Sequence, residues 1–131
     1  MNIHHIGYLV KSIEVSREKF LELGYIEETK KKYDPNRNIY IQFLNNGNYR
    51  IELVEPATDD SKYYVALKRF KNMPYHICYE VEDLDQAIDK LCHEGFLVSQ
   101  DPSPACCIDN RKVAFLQSPE VGIIELLSLE E

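Results

Sequence analysis

Two histidines and two glutamates stand out because each type occurs at matching places in two similar stretches of the chain. His5 begins the sequence HIGY and His76 begins HICY, while Glu52 and Glu125 each lie in the sequence IEL. A carboxylate among apolar neighbours is costly to bury without a partner. Neutral imidazoles and carboxylates suit a borderline divalent ion and leave positions for water or substrate. The sequence therefore predicts one divalent metal ion, for which nickel, cobalt, zinc and manganese all qualify.

The repeat extends over most of the chain and predicts the elements that position these four residues. Two units, residues 1–56 and 74–131, each show the pattern of a strand, a helix and three further strands. A linker around residues 57–73 joins the two units, so the chain is predicted to be a single domain made of two repeats. Within the linker, Tyr63–Phe70 is predicted to form a short helix.

Helix ends and strands can be assigned within each unit. Ser12 and Asp83 are candidate N-caps for helices that end at about Leu23 and Glu94, where glycines follow. Residues 100–111 show no periodicity and are predicted to be a loop. The other predicted strands are Tyr25–Glu28, Ile39–Leu44, Tyr49–Glu55, Leu97–Ser99, Lys112–Leu116 and Gly122–Leu127.

Strand alternation predicts that the four candidate ligands share one kind of face. Ile6, Tyr8 and Val10 alternate with His5, and the helix of each unit must cover the more apolar side of its sheet. His5, Glu52, His76 and Glu125 are then expected on the uncovered, concave side, around one cavity. His4 points to the other face of its strand, and His93 lies on a polar helix surface, so neither is predicted to be a ligand.

Five further polar residues are candidates for substrate contacts. Arg50, Tyr40 and Gln42 are predicted to lie on the concave face with the ligands, and Arg111 and Lys112 adjoin the loop at residues 100–111. The three cations could pair with a carboxylate, a phosphate or a glutathione group of a small-molecule substrate.

Composition limits the possible functions and the cellular context. The net charge of −7 argues against a nucleic-acid partner, because phosphate binding needs a basic surface. No apolar run is long enough to span a bilayer, and the N-terminus has no signal-peptide pattern, so a cytoplasmic protein with reduced cysteines is expected. The adjacent Cys106 and Cys107 could be redox-sensitive or bind soft metals.

Five of these stretches together resemble the vicinal oxygen chelate superfamily, over nearly the whole chain. The resemblance implies an α+β fold of two βαβββ modules, the glyoxalase/bleomycin resistance/dihydroxybiphenyl dioxygenase fold, with curved mixed sheets around a central metal cavity. It carries metal ligands onto His5, Glu52, His76 and Glu125, in agreement with the face assignment. The stretches that carry it are His5–Val10, Ile51–Pro56, Tyr75–Val81, Arg111–Leu116 and Gly122–Leu127.

The resemblance also implies a class of reaction, with several members left open. The main interpretation is a glyoxalase I-like enzyme of the lactoylglutathione lyase type, acting on a thiol adduct. The alternative is a methylmalonyl-CoA epimerase-like enzyme acting on an acyl thioester, and a further alternative is a non-catalytic protein that binds or sequesters a small molecule. In both enzymes a carboxylate removes a proton beside a metal-polarised oxygen.

Glu125 is the first candidate for the catalytic base and Glu52 the second, because the site is nearly symmetrical. Relatives of this kind imply a homodimer. The metal site could be assembled within one chain or across the dimer.

Overall fold

The computed structural model describes residues 1–129, which separate into two compact units. We call His5–Tyr75 the first module, and Met1–His4 together with the chain from His76 onward the second module. Within the described residues, no helix is long and apolar enough to cross a bilayer.

The first module has a strand, a helix and a set of short and long strands, followed by a second helix. The elements are β1 (Asn2–Leu9), of which residues 2–4 fall in the second module as defined above, α1 (Ile13–Glu22), β2 (Ile26–Glu27), β3 (Lys32–Asp34), β4 (Ile39–Asn46), β5 (Tyr49–Pro56) and α2 (Lys62–Phe70). Strand β1 runs parallel to β5, and β4 is antiparallel to β5, which gives the order β2-β4-β5-β1 with β3 paired to β4.

The second module repeats this plan. The elements are β6 (Met73–Val81), of which residues 73–75 fall in the first module as defined above, α3 (Leu84–His93), β7 (Leu97–Ala105), β8 (Arg111–Ser118) and β9 (Gly122–Ser128), with a 3-10 turn at Cys106–Ile108. Strand β6 runs parallel to β9, and β8 is antiparallel to both β9 and β7, in the order β6-β9-β8-β7. The predicted α+β fold of two βαβββ modules is therefore confirmed, with β3 as an additional short strand.

Local capping explains where the helices begin and end. The Ser12 hydroxyl accepts a hydrogen bond from the Val15 N–H at 3.3 Å, and the Asp83 carboxylate accepts one from the Gln86 N–H at 3.0 Å. Each interaction satisfies a backbone donor that the first helical turn leaves without a partner. Gly24 has a φ of 97°, a conformation that favours glycine and ends the helix.

One face of each sheet packs against the module's first helix to form a hydrophobic core. In the first module this core contains Val10, Ile13, Leu44, Ile51 and Leu53. The corresponding core in the second module consists of Val81, Leu84, Ala114, Leu116, Ile124 and Leu126. These residues fix which face of each strand meets the helix, and therefore which side chains point the other way.

The predicted loop at residues 100–111 is wrong for its first half. Strand β7 continues to Ala105 and pairs with β8, with register shifts between Val98 and Gln100 and between Gln100 and Ser103. Such bulges break the two-residue period from which a strand is recognised. Pro102 and Pro104 also disfavour a strand interior, but β7 is the last strand in this module's order, where proline is tolerated.

Candidate functional site

In the first module, β1 and β5 bring one imidazole and one carboxylate together. The His5 Nε2 and Glu52 Oε1 atoms are 3.5 Å apart, and the two residues are only 1% and 5% exposed. The pairing is possible because Gly7 lies opposite Glu52 in the parallel ladder, so His5, two residues earlier, is on the same face as Glu52. This face is opposite to the one that carries Leu53 into the core.

The second module builds the same pair from β6 and β9. The His76 Nε2 and Glu125 Oε1 atoms are 3.1 Å apart, and both residues are 4% exposed. Here Cys78 lies opposite Glu125, and His76 again precedes the register partner by two residues. The equivalence that the sequence predicted between the two halves is thus present in the strand register as well.

An aromatic ring packs edge-on against the imidazole in each module, and the sequence analysis singled out neither ring. Phe43 lies opposite Glu52 on β4, and its ring meets His5 edge-on at a centroid distance of 5.3 Å. Phe115 lies opposite Glu125 on β8 and meets His76 in the same way, also at 5.3 Å. The signal was available in the sequence, because both phenylalanines occur in matching Phe-Leu dipeptides of the repeat.

The spacing within each pair fits two ligands of a single metal ion. Nitrogen and oxygen ligands at about 2.1 Å from an ion are about 3.0 Å apart at a right angle and about 3.4 Å apart at the tetrahedral angle. The observed separations are 3.5 Å for His5 and Glu52 and 3.1 Å for His76 and Glu125. A nearby cation stabilises the ionised form of a buried carboxylate. The donor chemistry of each pair therefore suits a divalent ion.

Tyr40 and Gln42 do not lie on the predicted face. Tyr40 packs against the core beneath α1, and Gln42 lies opposite the core residue Leu53 while its side-chain amide donates to the Thr29 carbonyl at 2.9 Å. The face assignment was wrong because β4 carries apolar side chains on both faces, so its polar residues gave no reliable direction. Their predicted substrate contacts therefore lack the placement on which they depended.

The three predicted cations have different surroundings. The Arg50 guanidinium lies 3.0 Å from Glu28, and the Arg111 guanidinium donates to the Glu80 carboxylate at 3.0 Å and to the Ser128 carbonyl at 2.6 Å. Both charges are thus already paired with carboxylates. Lys112 is exposed and precedes the core residue Ala114 by two positions, so it lies on the same, helix-covered side of its sheet. Substrate binding by these residues stays a prediction.

Comparison with known proteins places the fold and the repeat in a family context. Residues 4–115 match a family model described as the Glyoxalase/Bleomycin resistance protein/Dioxygenase superfamily. A curated relative, the ethylmalonyl-CoA/methylmalonyl-CoA epimerase of Cereibacter sphaeroides, is 27% identical over 129 residues and is covered to 95%, as is this chain.

Two solved structures share the fold at lower identity. A hypothetical protein from Bacillus halodurans C-125 superposes with a TM-score of 0.88 at 24% identity, covering 99% of this chain and 95% of that protein. A variant of the Streptomyces coelicolor methylmalonyl-CoA epimerase, in complex with 2-nitronate-propionyl-CoA, superposes with a TM-score of 0.81 at 19% identity. That match covers 98% of this chain and 96% of the epimerase.

Proposed function

This chain belongs to the Glyoxalase/Bleomycin resistance protein/Dioxygenase superfamily, and from that membership we propose that it is a metal-dependent epimerase of an acyl-CoA thioester. The observation that carries the proposal is the pair of buried His–Glu couples, His5 with Glu52 and His76 with Glu125, built identically in the two modules. The proposed substrate is of the methylmalonyl-CoA type, because the curated relative similar over nearly its whole length is an ethylmalonyl-CoA/methylmalonyl-CoA epimerase.

The proposed metal site combines both couples around one divalent ion. Each couple has the donor types and the separation that two ligands of one ion require, and each is buried deeply enough that its carboxylate needs a counter-charge. Nickel, cobalt, zinc and manganese all accept nitrogen and oxygen ligands of this kind. The ion, when bound, supplies a Lewis acid that polarises the thioester carbonyl and makes the neighbouring C–H bond more acidic.

The protein's own contribution to the proposed reaction is proton transfer by carboxylates. Glu125 is the first candidate to remove the proton from the carbon next to the thioester. Inversion at that carbon requires an ionised base to take a proton from one face and a protonated acid to deliver a proton to the opposite face. Glu52, the equivalent residue of the other module, is the candidate for that role.

The glyoxalase I-like reaction that the sequence resemblance favoured is the less supported of the two enzyme readings. Both reactions use a carboxylate base beside a polarised oxygen, so the residues alone do not separate them. The difference lies in the relatives, since the curated relative and the ligand-bound structural neighbour described above are both named as epimerases of acyl-CoA compounds. We therefore place the acyl thioester ahead of the thiol adduct as substrate class.

The deciding experiment follows proton exchange in deuterated water. The metal-loaded protein is incubated with one epimer of methylmalonyl-CoA, and proton NMR follows the loss of the signal at the carbon next to the thioester together with the appearance of the other epimer. A parallel reaction contains methylglyoxal and glutathione, with lactoylglutathione as the product sought.

We expect exchange and epimerisation in the first reaction and no catalysed product in the second. Formation of lactoylglutathione without epimerisation would contradict the epimerase proposal and support the glyoxalase I-like reaction. Binding of either compound without turnover, with the metal present, would support a sequestering protein. A homodimer remains part of the proposal and is measured separately by light scattering on the purified protein.

A further inference from the structure

Cys106 and Cys107 begin the turn between β7 and β8, and their Sγ atoms lie 3.5 Å apart. Both side chains are half-buried, and neither forms a disulfide. We propose that they form a dithiol site that chelates a soft, thiophilic ion, and that trivalent arsenicals are the class that fits it. This inference is independent of the proposed epimerase activity.

The backbone of the turn that carries the two cysteines is held by defined contacts. It is anchored on one side by Ala105 and on the other by Ile108, which are 6% and 8% exposed. The Asn110 N–H donates to the Ala105 carbonyl at 2.9 Å and closes the turn, and Ala105 pairs in register with Arg111 on β8. A chelating pair that is fixed before binding loses less conformational entropy when the ion arrives.

The sulfur separation favours chelation over a disulfide between these neighbours. A disulfide would bring the sulfurs to about 2.05 Å, which is about 1.5 Å closer than they are, inside a turn closed on both sides. Two thiolates at about 2.3 Å from one centre are about 3.3 Å apart at a right angle and about 3.8 Å apart at the tetrahedral angle, and the observed 3.5 Å lies between these values. Thiolate ligands also select soft ions over hard ones.

The number of sulfur atoms that the turn supplies points to the class of ligand. A structural zinc site takes four protein ligands, of which this pair supplies two. A monosubstituted trivalent arsenical carries its own third substituent, so two thiolates complete its coordination. With phenylarsine oxide, two sulfur–arsenic bonds form and the arsenic–oxygen bond breaks. The two thiol protons leave with that oxygen as one water molecule, and no oxidation state changes.

The test uses phenylarsine oxide and intact-protein mass spectrometry on the full chain. We expect one adduct per chain, with the mass of phenylarsine oxide less one water, which persists in excess glutathione and is removed by dimercaptopropanol. Cys106→Ser and Cys107→Ser should each lose the glutathione-resistant adduct. Cys92→Ser is the matched control, because Cys92 is an exposed cysteine on α3, and this variant should keep the adduct.

Two results would overturn the proposal. One is a glutathione-resistant adduct that survives in Cys106→Ser or Cys107→Ser, since that adduct would belong to other thiols. The other is equal affinity of native and urea-denatured protein for phenylarsine oxide, because preorganisation by the turn predicts tighter binding to the native chain. Circular dichroism of both serine variants ensures that a lost adduct is not a lost fold.

Discussion

Glu125, the proposed base, lies close to an imidazole and is shielded from bulk water. It is 4% exposed and its Oε1 atom lies 3.1 Å from His76 Nε2. We expect Glu125→Gln to keep the size and hydrogen-bonding capacity of the side chain while removing its ability to accept a proton. Exchange of the methylmalonyl-CoA proton into deuterated water should fall by about 10²-fold or more, the usual contribution of a general base.

The matched control for that substitution is Glu120→Gln, which makes the same chemical change on an exposed residue between β8 and β9. This variant should exchange the proton at the wild-type rate. An unchanged rate in Glu125→Gln, with the fold intact by circular dichroism, would remove Glu125 from the mechanism and leave Glu52 as the candidate base.

The edge-on contact between Phe43 and His5 gives a second residue-scale expectation. Phe43→Leu keeps an apolar side chain but removes the ring that packs edge-on against the imidazole. Outer-shell groups that hydrogen-bond a ligating histidine typically contribute about 10–100-fold to metal affinity, and we expect an edge-on ring contact to contribute about 10-fold or less. We therefore expect weaker binding of the divalent ion by isothermal titration, and the equivalent Phe115→Leu should behave alike because its ring contacts His76.

Phe96→Leu provides the comparison for these two variants. Phe96 packs against the core of the second module rather than against a His–Glu couple. It should lower the free energy of unfolding without changing the metal affinity. If Phe43→Leu, Phe115→Leu and Phe96→Leu all weaken the binding of the ion equally, the rings contribute to general stability and not to the orientation of the ligands.

At the residue scale, the sequence predicted site residues best at positions that have a partner in the other half of the repeat. Matching positions in two halves singled out His5, Glu52, His76 and Glu125 without any structure, and the strand register then placed them in two equivalent couples. Tyr40 was misplaced because no repeat partner or polarity pattern fixed the direction of its side chain. A face assignment needs one clearly apolar face, and β4 has apolar residues on both.

At the scale of elements, Arg111 ties three strands of the second module together. From β8 it donates to the Ser128 carbonyl at the end of β9 and to the Glu80 carboxylate on β6. We expect Arg111→Met to lower the free energy of unfolding by about 1–3 kcal/mol, because hydrogen bonds to charged groups are lost and Glu80 loses its partner. Urea denaturation monitored by circular dichroism measures the change.

Lys112→Met is the control for the role of Arg111, since it removes a neighbouring positive charge from an exposed position on the same strand. It should change the stability by no more than about 0.5 kcal/mol. The opposite pattern, with Arg111→Met stable but raised in KM for methylmalonyl-CoA, would show that Arg111 serves the substrate and not the sheet.

Element boundaries were predictable where local chemistry specifies them. The helices were assigned from Ser12 and Asp83 as caps and from the glycines that follow, and both caps form the expected hydrogen bonds. Strand β7 was not predictable beyond Ser99, because bulges and prolines hide its period. Strand β3 was also missed, since its three residues lie in a charged stretch and are specified by pairing with β4 rather than by their own pattern.

At the scale of the whole molecule, duplication of one supersecondary unit explains why a short chain contains two equivalent couples. Each module supplies the parallel strand pair, the opposing phenylalanine and the covering helix that a His–Glu couple needs. The repeat in the sequence was sufficient to predict this internal construction. Substrate identity was not predictable in the same way, because the couples serve any reaction that needs a polarised oxygen and a nearby carboxylate.

The proposal that both couples bind one ion belongs to the scale of the whole molecule. Thermal unfolding in the presence of nickel or cobalt tests it. An ion that binds only the native chain stabilises it by about 4 kcal/mol when its free concentration is about 1,000 times the Kd. If one ion takes ligands from both modules, His5→Ala and His76→Ala should each abolish the rise in melting temperature. The double variant should then lose nothing further, whereas two separate sites would leave each single variant with a partial rise and one ion per chain by elemental analysis. His93→Ala, which removes an exposed histidine on α3, should retain the full rise, so that only loss confined to the two buried histidines supports a shared ion.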